Sequence, residues 1–214
     1  MALSLRHFAP GFDWSARPAG CGRLSGGTVR GMTSAAERYR SLAGDMTDRI
    51  AAVPKDRWSS PTPCEGWTAR DLVQHLVDTP AIFFNMVDAD PPPPGPSPDD
   101  DPVGAFTHVR AAVQSALEDP GIADREYDGA FGKNTFAGGI GQFICGDLVI
   151  HGWDLARATG QDERLDPDEV RRMYEAMLPM DEALRGPGAF GPKIEPPPGA
   201  DEQTKVLCFL GRQV

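Results

Sequence analysis

The chain has 214 residues, a formal net charge of −10 and an isoelectric point of about 4.8. Nucleic acids and anionic membrane surfaces are bound through basic patches, so this charge argues against both and favours a neutral or cationic small molecule as ligand. The length suits one domain with an appendage, either as a monomer or as a homodimer.

The cysteines and the hydropathy pattern predict a cytoplasmic protein. Four cysteines, Cys21, Cys64, Cys145 and Cys208, show no paired spacing, which is typical of reduced thiols. No apolar run approaches the roughly 18 residues of a membrane-spanning helix. We therefore expect neither disulfides nor a membrane anchor.

Residues 1–31 show no helical or strand pattern. They contain four arginines and a single acidic residue among many small residues and prolines, and they lack the apolar core of a signal peptide. We interpret this segment as a disordered or non-native tail, with Met32 as an alternative start. The competing interpretation is a genuine tail whose aromatic residues pack on the domain.

Apolar residues at three- and four-residue spacing predict four helices between residues 32 and 160. The first runs from Tyr39 to Val53 and the second from Thr68 to about Val87. The third begins after Asp101 and ends at Pro120, and the fourth runs from Gly138 to Gly160. The proline-rich stretch 91–98 separates the second helix from the third, and residues 121–136 predict a loop with a short strand. The glycines at the start of the fourth helix lack the strand and lysine of a phosphate-binding loop, so packing or a hinge is the better interpretation.

Residues 161–214 predict a helical appendage. Asp166 and Pro167 form a good helix start for a fifth helix, residues 186–199 form a proline- and glycine-rich loop, and a last helix runs from Gln203 to Leu210. The expected organisation is therefore a tail (1–31), a helical domain (32–160) and an extension (161–214) packed on it.

Two polar residues interrupt the apolar stripe of the fourth helix. Asp147 and His151 are four residues apart and therefore lie on one helix face, and Asp154 follows close to it. Charged groups on a core-facing stripe need a hydrogen-bond partner, a basic group or a shared metal ion.

A third polar residue, His75, interrupts the stripe of the second helix. Thr68 and Asp71 have the spacing of a capping box, which starts the helix and puts His75 on the face of Leu72 and Ile82. One ligand from one helix and an i, i+4 pair from another can hold a metal ion between them, with one position left open. Each feature also has a simpler explanation: a satisfied core histidine, or a hydrogen bond within one helix.

The two segments 63–75 and 147–160 together resemble the actinobacterial metal-binding branch of the DinB/YfiT-like four-helix proteins. This branch is related to the N-terminal domain of mycothiol-dependent maleylpyruvate isomerase. The resemblance covers about residues 33–160 and, more weakly, 205–212. It implies an all-α, up-and-down four-helix bundle in which His75, Asp147 and His151 bind a divalent metal, with zinc expected and nickel or iron as alternatives. Asp147 stands where the isomerase pattern has glutamate.

The resemblance also implies a function: thiol-dependent transfer or isomerisation of a small electrophile, with mycothiol as the candidate thiol. Two other functions stay open, a metal-binding or stress-related protein without turnover and a non-haem Fe(II) enzyme.

Four further residues are candidates for the surroundings of the metal: Asp154, Arg70, Trp67 and Trp153. Asp154 is a candidate for orienting a ligand imidazole, acting as a base or pairing with Arg70 or Arg157, and we favour the ion pair. Trp67 and Trp153 are candidates for the pocket wall or for core packing. Cys64 is interpreted as a half-buried small residue rather than a ligand, and His108 is assigned to the solvent face.

Overall fold

The computed structural model describes residues 34–182, 185 and 190–214, and these residues form a mainly helical fold. The predicted tail 1–31 lies outside the described residues. The elements are α1 (Ala35–Ala51), α2 (Ala69–Asp78), α3 (Pro80–Met86), α4 (Pro102–Glu118), α5 (Pro120–Ala123), β1 (Glu126–Gly129), β2 (Gly132–Thr135), α6 (Phe136–Gly139), α7 (Cys145–Thr159), α8 (Pro167–Met177) and α9 (Glu202–Phe209). The predicted all-α class is confirmed at this level, with one small antiparallel hairpin added.

The starts of α1 and α2 are set by local side-chain hydrogen bonds. Ser34 and Glu37 form a capping box at α1, and Thr68 and Asp71 form the predicted one at α2. Each box satisfies two backbone N–H groups that have no partner within the helix. The position of His75 in the last turn of α2 is therefore fixed by a sequence signal seven residues earlier.

The second predicted helix is interrupted. The expected single helix from Thr68 to about Val87 is two helices, α2 and α3, because Pro80 has no N–H to donate to the carbonyl of Leu76. Thr79 lies at the junction, and its side chain becomes part of the candidate site. The prediction missed this break because the apolar spacing continues across it.

The fourth predicted helix also differs in detail. It begins at Phe136 as α6, widens into a π-type turn over Ile140–Ile144 and continues as α7. Its end is as predicted, because Gly160 adopts the left-handed conformation, with φ 77°. The predicted loop with a strand, residues 121–136, contains α5 and the β1–β2 hairpin.

Two hydrophobic clusters form the core of the described residues. Helix α1 packs against α4 and α7, and α2 packs against the same two helices. The first cluster fills the space between them and includes Tyr39, Leu72, Phe106 and Leu155. The second joins the outer side of α7, through Trp153, to α8 and α9. Among the described residues no helix is long and apolar enough to cross a membrane.

Candidate metal centre

A tight turn ahead of α2 positions Cys64 and Trp67. The backbone N–H of Trp67 donates to the carbonyl of Cys64, and the N–H of Cys64 donates to the hydroxyl of Thr62. Gly66 has φ +78°, a conformation that favours glycine. The turn therefore brings a thiol and an indole ring beside the first turns of α2.

The ring of His75 is oriented by Thr79. The Thr79 hydroxyl donates to the backbone carbonyl of His75 at 2.7 Å, and its oxygen lies 3.2 Å from Nδ1 of the same histidine. A hydroxyl oxygen whose hydrogen goes to the carbonyl can accept from Nδ1–H. In that tautomer the lone pair is on Nε2, the nitrogen that lies 3.5 Å from Oδ2 of Asp147.

His151 is oriented in the same way by a carboxylate. Its Nδ1 lies 3.0 Å from Oδ2 of Asp154, one turn later on α7. An Nδ1–H donated to this carboxylate leaves Nε2 as the acceptor nitrogen. Nitrogen or oxygen donors of His75, Asp147 and His151 all lie within 4.8 Å of one another. The structure thus brings the three predicted ligands together.

Asp154 is buried and is paired with Arg212, near the end of the chain. The guanidinium donates through Nη2 to Oδ2 at 2.8 Å and through Nε to Oδ1 at 3.2 Å. The side chain of Asp154 is 0% exposed and that of Arg212 is 10% exposed. Arg212 also donates to the Cys64 sulfur at 3.3 Å. This bidentate contact fixes the carboxylate that orients His151.

The approach of Arg212 depends on how α9 ends. Gly211 has φ +80°, and its backbone N–H donates to the carbonyl of Cys208. The backbone N–H of Arg212 donates to the carbonyl of Leu207. These two bonds form a Schellman motif, which reverses the chain. A Cβ at residue 211 would lie 3.0 Å from the carbonyl oxygen of Pro192, so glycine is required there for space as well.

Charges around the site shift several pKa values. Burial raises the pKa of Asp154, but His151 and Arg212 outweigh this and lower it to about 2. Burial also opposes ionisation of Asp147, yet His75, His151 and Arg212 bring its pKa below the ordinary value. Burial and then the charge of Asp154 raise the pKa of Cys64 to about 12. Both carboxylates are thus charged at neutral pH, and the thiol is protonated.

A second group of donors, Cys64, His151 and Asp154, is also close enough to share an ion. Arg212 contacts both the sulfur and the carboxylate of this group, so a cation placed there would lie beside a guanidinium. Burial and the charge of Asp154, which raise the pKa of Cys64, also oppose formation of the thiolate that metals bind. Charge therefore favours the group of His75, Asp147 and His151.

These donors lie in a cavity of about 1220 Å³. Trp67 forms part of its wall, with ring centroids 4.9 Å from that of His75 and 6.1 Å from that of His151. The Asp147 side chain is 28% exposed, so the ligand positions can be reached from the cavity. A small molecule can therefore approach the donors without unfolding of the helices.

The structure corrects the predicted surroundings of Asp154. Its partner is Arg212, whereas Arg70 pairs with Asp99 and Arg157 pairs with Glu163. Arg70 lies outside the cavity and packs on Trp58, while Arg157 does line the cavity. The prediction of an ion pair was correct in kind and wrong in both candidate partners.

The two candidate tryptophans have different positions: one lines the cavity and the other lies in the hydrophobic core. Trp67 lines the cavity, whereas Trp153 is 0% exposed and belongs to the second hydrophobic cluster. His108 contacts the carbonyl of Pro93, away from the three donors. Cys64 is half-buried, as predicted, and contacts Asp154 and Arg212. Sequence reasoning missed Arg212; the signal for it was an arginine directly after Gly211 at the end of an apolar helix.

Comparison with known proteins gives one family and two relatives. The family model described as the mycothiol maleylpyruvate isomerase N-terminal domain matches residues 39–156. Two uncharacterized proteins of Mycobacterium tuberculosis, MT0763 of strain CDC 1551 / Oshkosh and Rv0738 of strain ATCC 25618 / H37Rv, are each 32% identical over 171 residues. The match covers 77% of this chain and 90% of each relative. No solved structure matches the chain significantly.

Proposed function

Because the chain belongs to the mycothiol maleylpyruvate isomerase N-terminal domain family, we propose that it is a metal-dependent enzyme acting on a small electrophile with a thiol co-substrate. The observation that supports this most is the convergence of His75, Asp147 and His151 within 4.8 Å at the wall of a large cavity. Mycothiol is the candidate thiol, on the ground of the family alone.

The donor set fits a divalent ion, and zinc is the proposed one. Two ligands bonded at about 2.1 Å to a tetrahedral ion lie about 3.4 Å apart. The observed 3.5 Å between Nε2 of His75 and Oδ2 of Asp147 is close to this value. Two imidazoles and one carboxylate give a mixed nitrogen and oxygen set that leaves a fourth position open toward the cavity.

The protein side chains have separate tasks in this proposal. Thr79 and Asp154 contact Nδ1 of the two imidazoles, which leaves each Nε2 available to the ion, and Arg212 fixes Asp154. Asp147 supplies the negative charge that a cation requires. An ion in this position supplies Lewis acidity, which lowers the pKa of a thiol or water coordinated to it.

The proposed architecture is a DinB/YfiT-like up-and-down bundle of four helices, for which the packing of α1 and α2 against α4 and α7 is the support. We place the domain boundary at residue 160, as the sequence predicts. The extension 161–214 is then not an independent module, because it provides Arg212, which reaches Asp154 of the bundle.

Cobalt substitution combined with a thiol titration tests the proposal. Protein loaded with Co²⁺ and titrated with mycothiol should develop thiolate-to-cobalt charge-transfer absorption, because the open position faces the cavity. His75→Ala should abolish the signal. His108→Ala, which alters a histidine outside the site, should keep it.

Turnover separates an enzyme from a binder in the same samples. Thiol-dependent consumption of an electrophile such as maleylpyruvate, lost in His75→Ala, is the expected result. A wild-type protein that binds cobalt but shows neither the thiol signal nor turnover would refute the thiol-dependent function.

A further inference from the structure

The cavity lining includes apolar side chains that metal binding does not use. Ile82 and Phe83 follow His75 and Thr79 along α2 and α3, and Phe143 precedes Asp147 in the turn that leads into α7. The Phe83 and Phe143 rings stack with their centroids 6.0 Å apart. Apolar side chains from the two ligand-bearing segments therefore contact each other in the cavity lining.

Two methionines of the extension add to this apolar lining. Met177 ends α8 and Met180 follows it, and both are buried and line the cavity. Methionine side chains are flexible and adapt to apolar groups of different shape. We call the set Ile82, Phe83, Phe143, Met177 and Met180 the apolar subsite.

Glycines make the space in which these side chains lie. A Cβ at residue 139 would lie 2.8 Å from the ring of Phe83, and one at residue 146 would lie 3.3 Å from the Met177 methyl group. The packing role predicted for the glycines before α7 is confirmed at Gly139. The backbone thus brings α6 and α7 close to the residues that form the subsite.

The same cavity also has polar lining. It includes Cys64 and Glu65 of the turn ahead of α2, and Arg212 and Gln213. The whole cavity, about 1220 Å³, exceeds the roughly 300–1000 Å³ of ordinary small-molecule pockets. Since the three donors and the apolar side chains line one cavity, one ligand can contact both.

We infer that the natural substrate carries a hydrocarbon group, an alkyl chain or aryl ring of several carbons, that occupies the apolar subsite while its reactive polar end lies at His75, Asp147 and His151. The inference rests on the proposed function for the position of the reactive end. The occupant is a small molecule rather than a peptide or a second chain, because the subsite lies inside a cavity continuous with the donors.

The test uses straight-chain alkyl hydroxamates, from acetohydroxamate to octanohydroxamate, as probes with a metal-binding head and a variable tail. Their dissociation constants are measured by calorimetry on the full chain loaded with Zn²⁺. Burial of each added methylene should tighten binding about fourfold until the tail fills the subsite. Affinity that does not change with tail length would overturn the inference while leaving metal binding intact.

Paired isoleucine variants locate the effect. Ile82 and Ile122 are both partly buried against the first hydrophobic cluster, but only Ile82 lines the cavity. Ile82→Ala should weaken octanohydroxamate at least threefold and leave acetohydroxamate unchanged, whereas Ile122→Ala should change neither. Equal effects of the two variants on octanohydroxamate would place the tail elsewhere and contradict the inference.

A second probe separates this inference from the proposed metal site. In EDTA, 1-octanol has no metal to bind, and it should still bind wild type more tightly than Ile82→Ala. Octanol binding without any zinc-dependent hydroxamate binding would support the subsite and refute the metal site. No octanol binding in EDTA, together with tail-independent hydroxamate binding in zinc, would refute the subsite alone.

Discussion

Replacement of Arg212 by alanine tests the buried network behind His151. The change leaves the fully buried carboxylate of Asp154 without its bidentate partner. Lowering the pKa of Asp154 from 3.8 to about 2 corresponds to about 2 kcal/mol of stabilisation of the charged form. Removal of one partner from a buried pair typically costs about 3–5 kcal/mol. We therefore expect a loss of about 3 kcal/mol in the free energy of unfolding.

The matched control is Arg171→Ala. Arg171 also ties α9 to the rest of the chain, through Glu202, but both side chains are about half exposed. Such a surface pair contributes about 0–1 kcal/mol. Unfolding in urea, followed by circular dichroism near neutral pH with EDTA present, measures both variants without a contribution from metal.

Two further results follow from the charge of Asp154. Adding Asp154→Asn to Arg212→Ala should restore part of the lost stability, because it removes the unpaired buried charge. Since the pKa of Asp154 is depressed in the folded protein, the stabilisation is present above pH 3.8 and is lost as the pH falls toward 2. The reasoning is refuted if Arg212→Ala costs no more than Arg171→Ala.

Three other outcomes are expected. Cys64→Ser should retain the full metal content, measured by elemental analysis, because the guanidinium of Arg212 disfavours a cation at Cys64; loss of the metal would identify the sulfur as a ligand. Asp147→Glu should keep zinc binding, measured by calorimetry, whereas Asp147→Asn should weaken it strongly because a neutral amide is a poor donor. Equal zinc affinities of these two variants would remove Asp147 from the ligand set. Deletion of residues 1–31 should change neither the helical circular dichroism nor the metal content, and a large fall in melting temperature would show that the tail packs on the domain.

The sequence was most informative where the signal is local. The capping box of α2 and the left-handed Gly160 depend on residues a few positions apart, and the structure agrees with both. The apolar spacing located the helices but not the break between α2 and α3. The i, i+4 relation of Asp147 and His151 is equally local. The convergence of His75 with this pair is long-range. It was predicted from polar residues on the core-facing stripes of two helices, together with the family resemblance of both segments.

The remainder depended on contacts that spacing does not encode. Arg212 lies 58 residues beyond Asp154, and no periodicity connects them. Either Arg70 or Arg157 was expected to pair with Asp154, but these two arginines pair with Asp99 and Glu163. Choice among several arginines for one buried carboxylate is decided by tertiary packing.

The melting temperature with EDTA and with added zinc tests the central claim most directly. At a free zinc concentration of about one hundred times the dissociation constant, binding stabilises the folded state by about 2.7 kcal/mol. For a chain of this size that raises the melting temperature by about 5–10 °C. We predict this shift for wild type and His108→Ala and its loss in His75→Ala and Asp147→Asn. A wild-type melting temperature that is unchanged by both EDTA and zinc, nickel or ferrous iron would contradict the account.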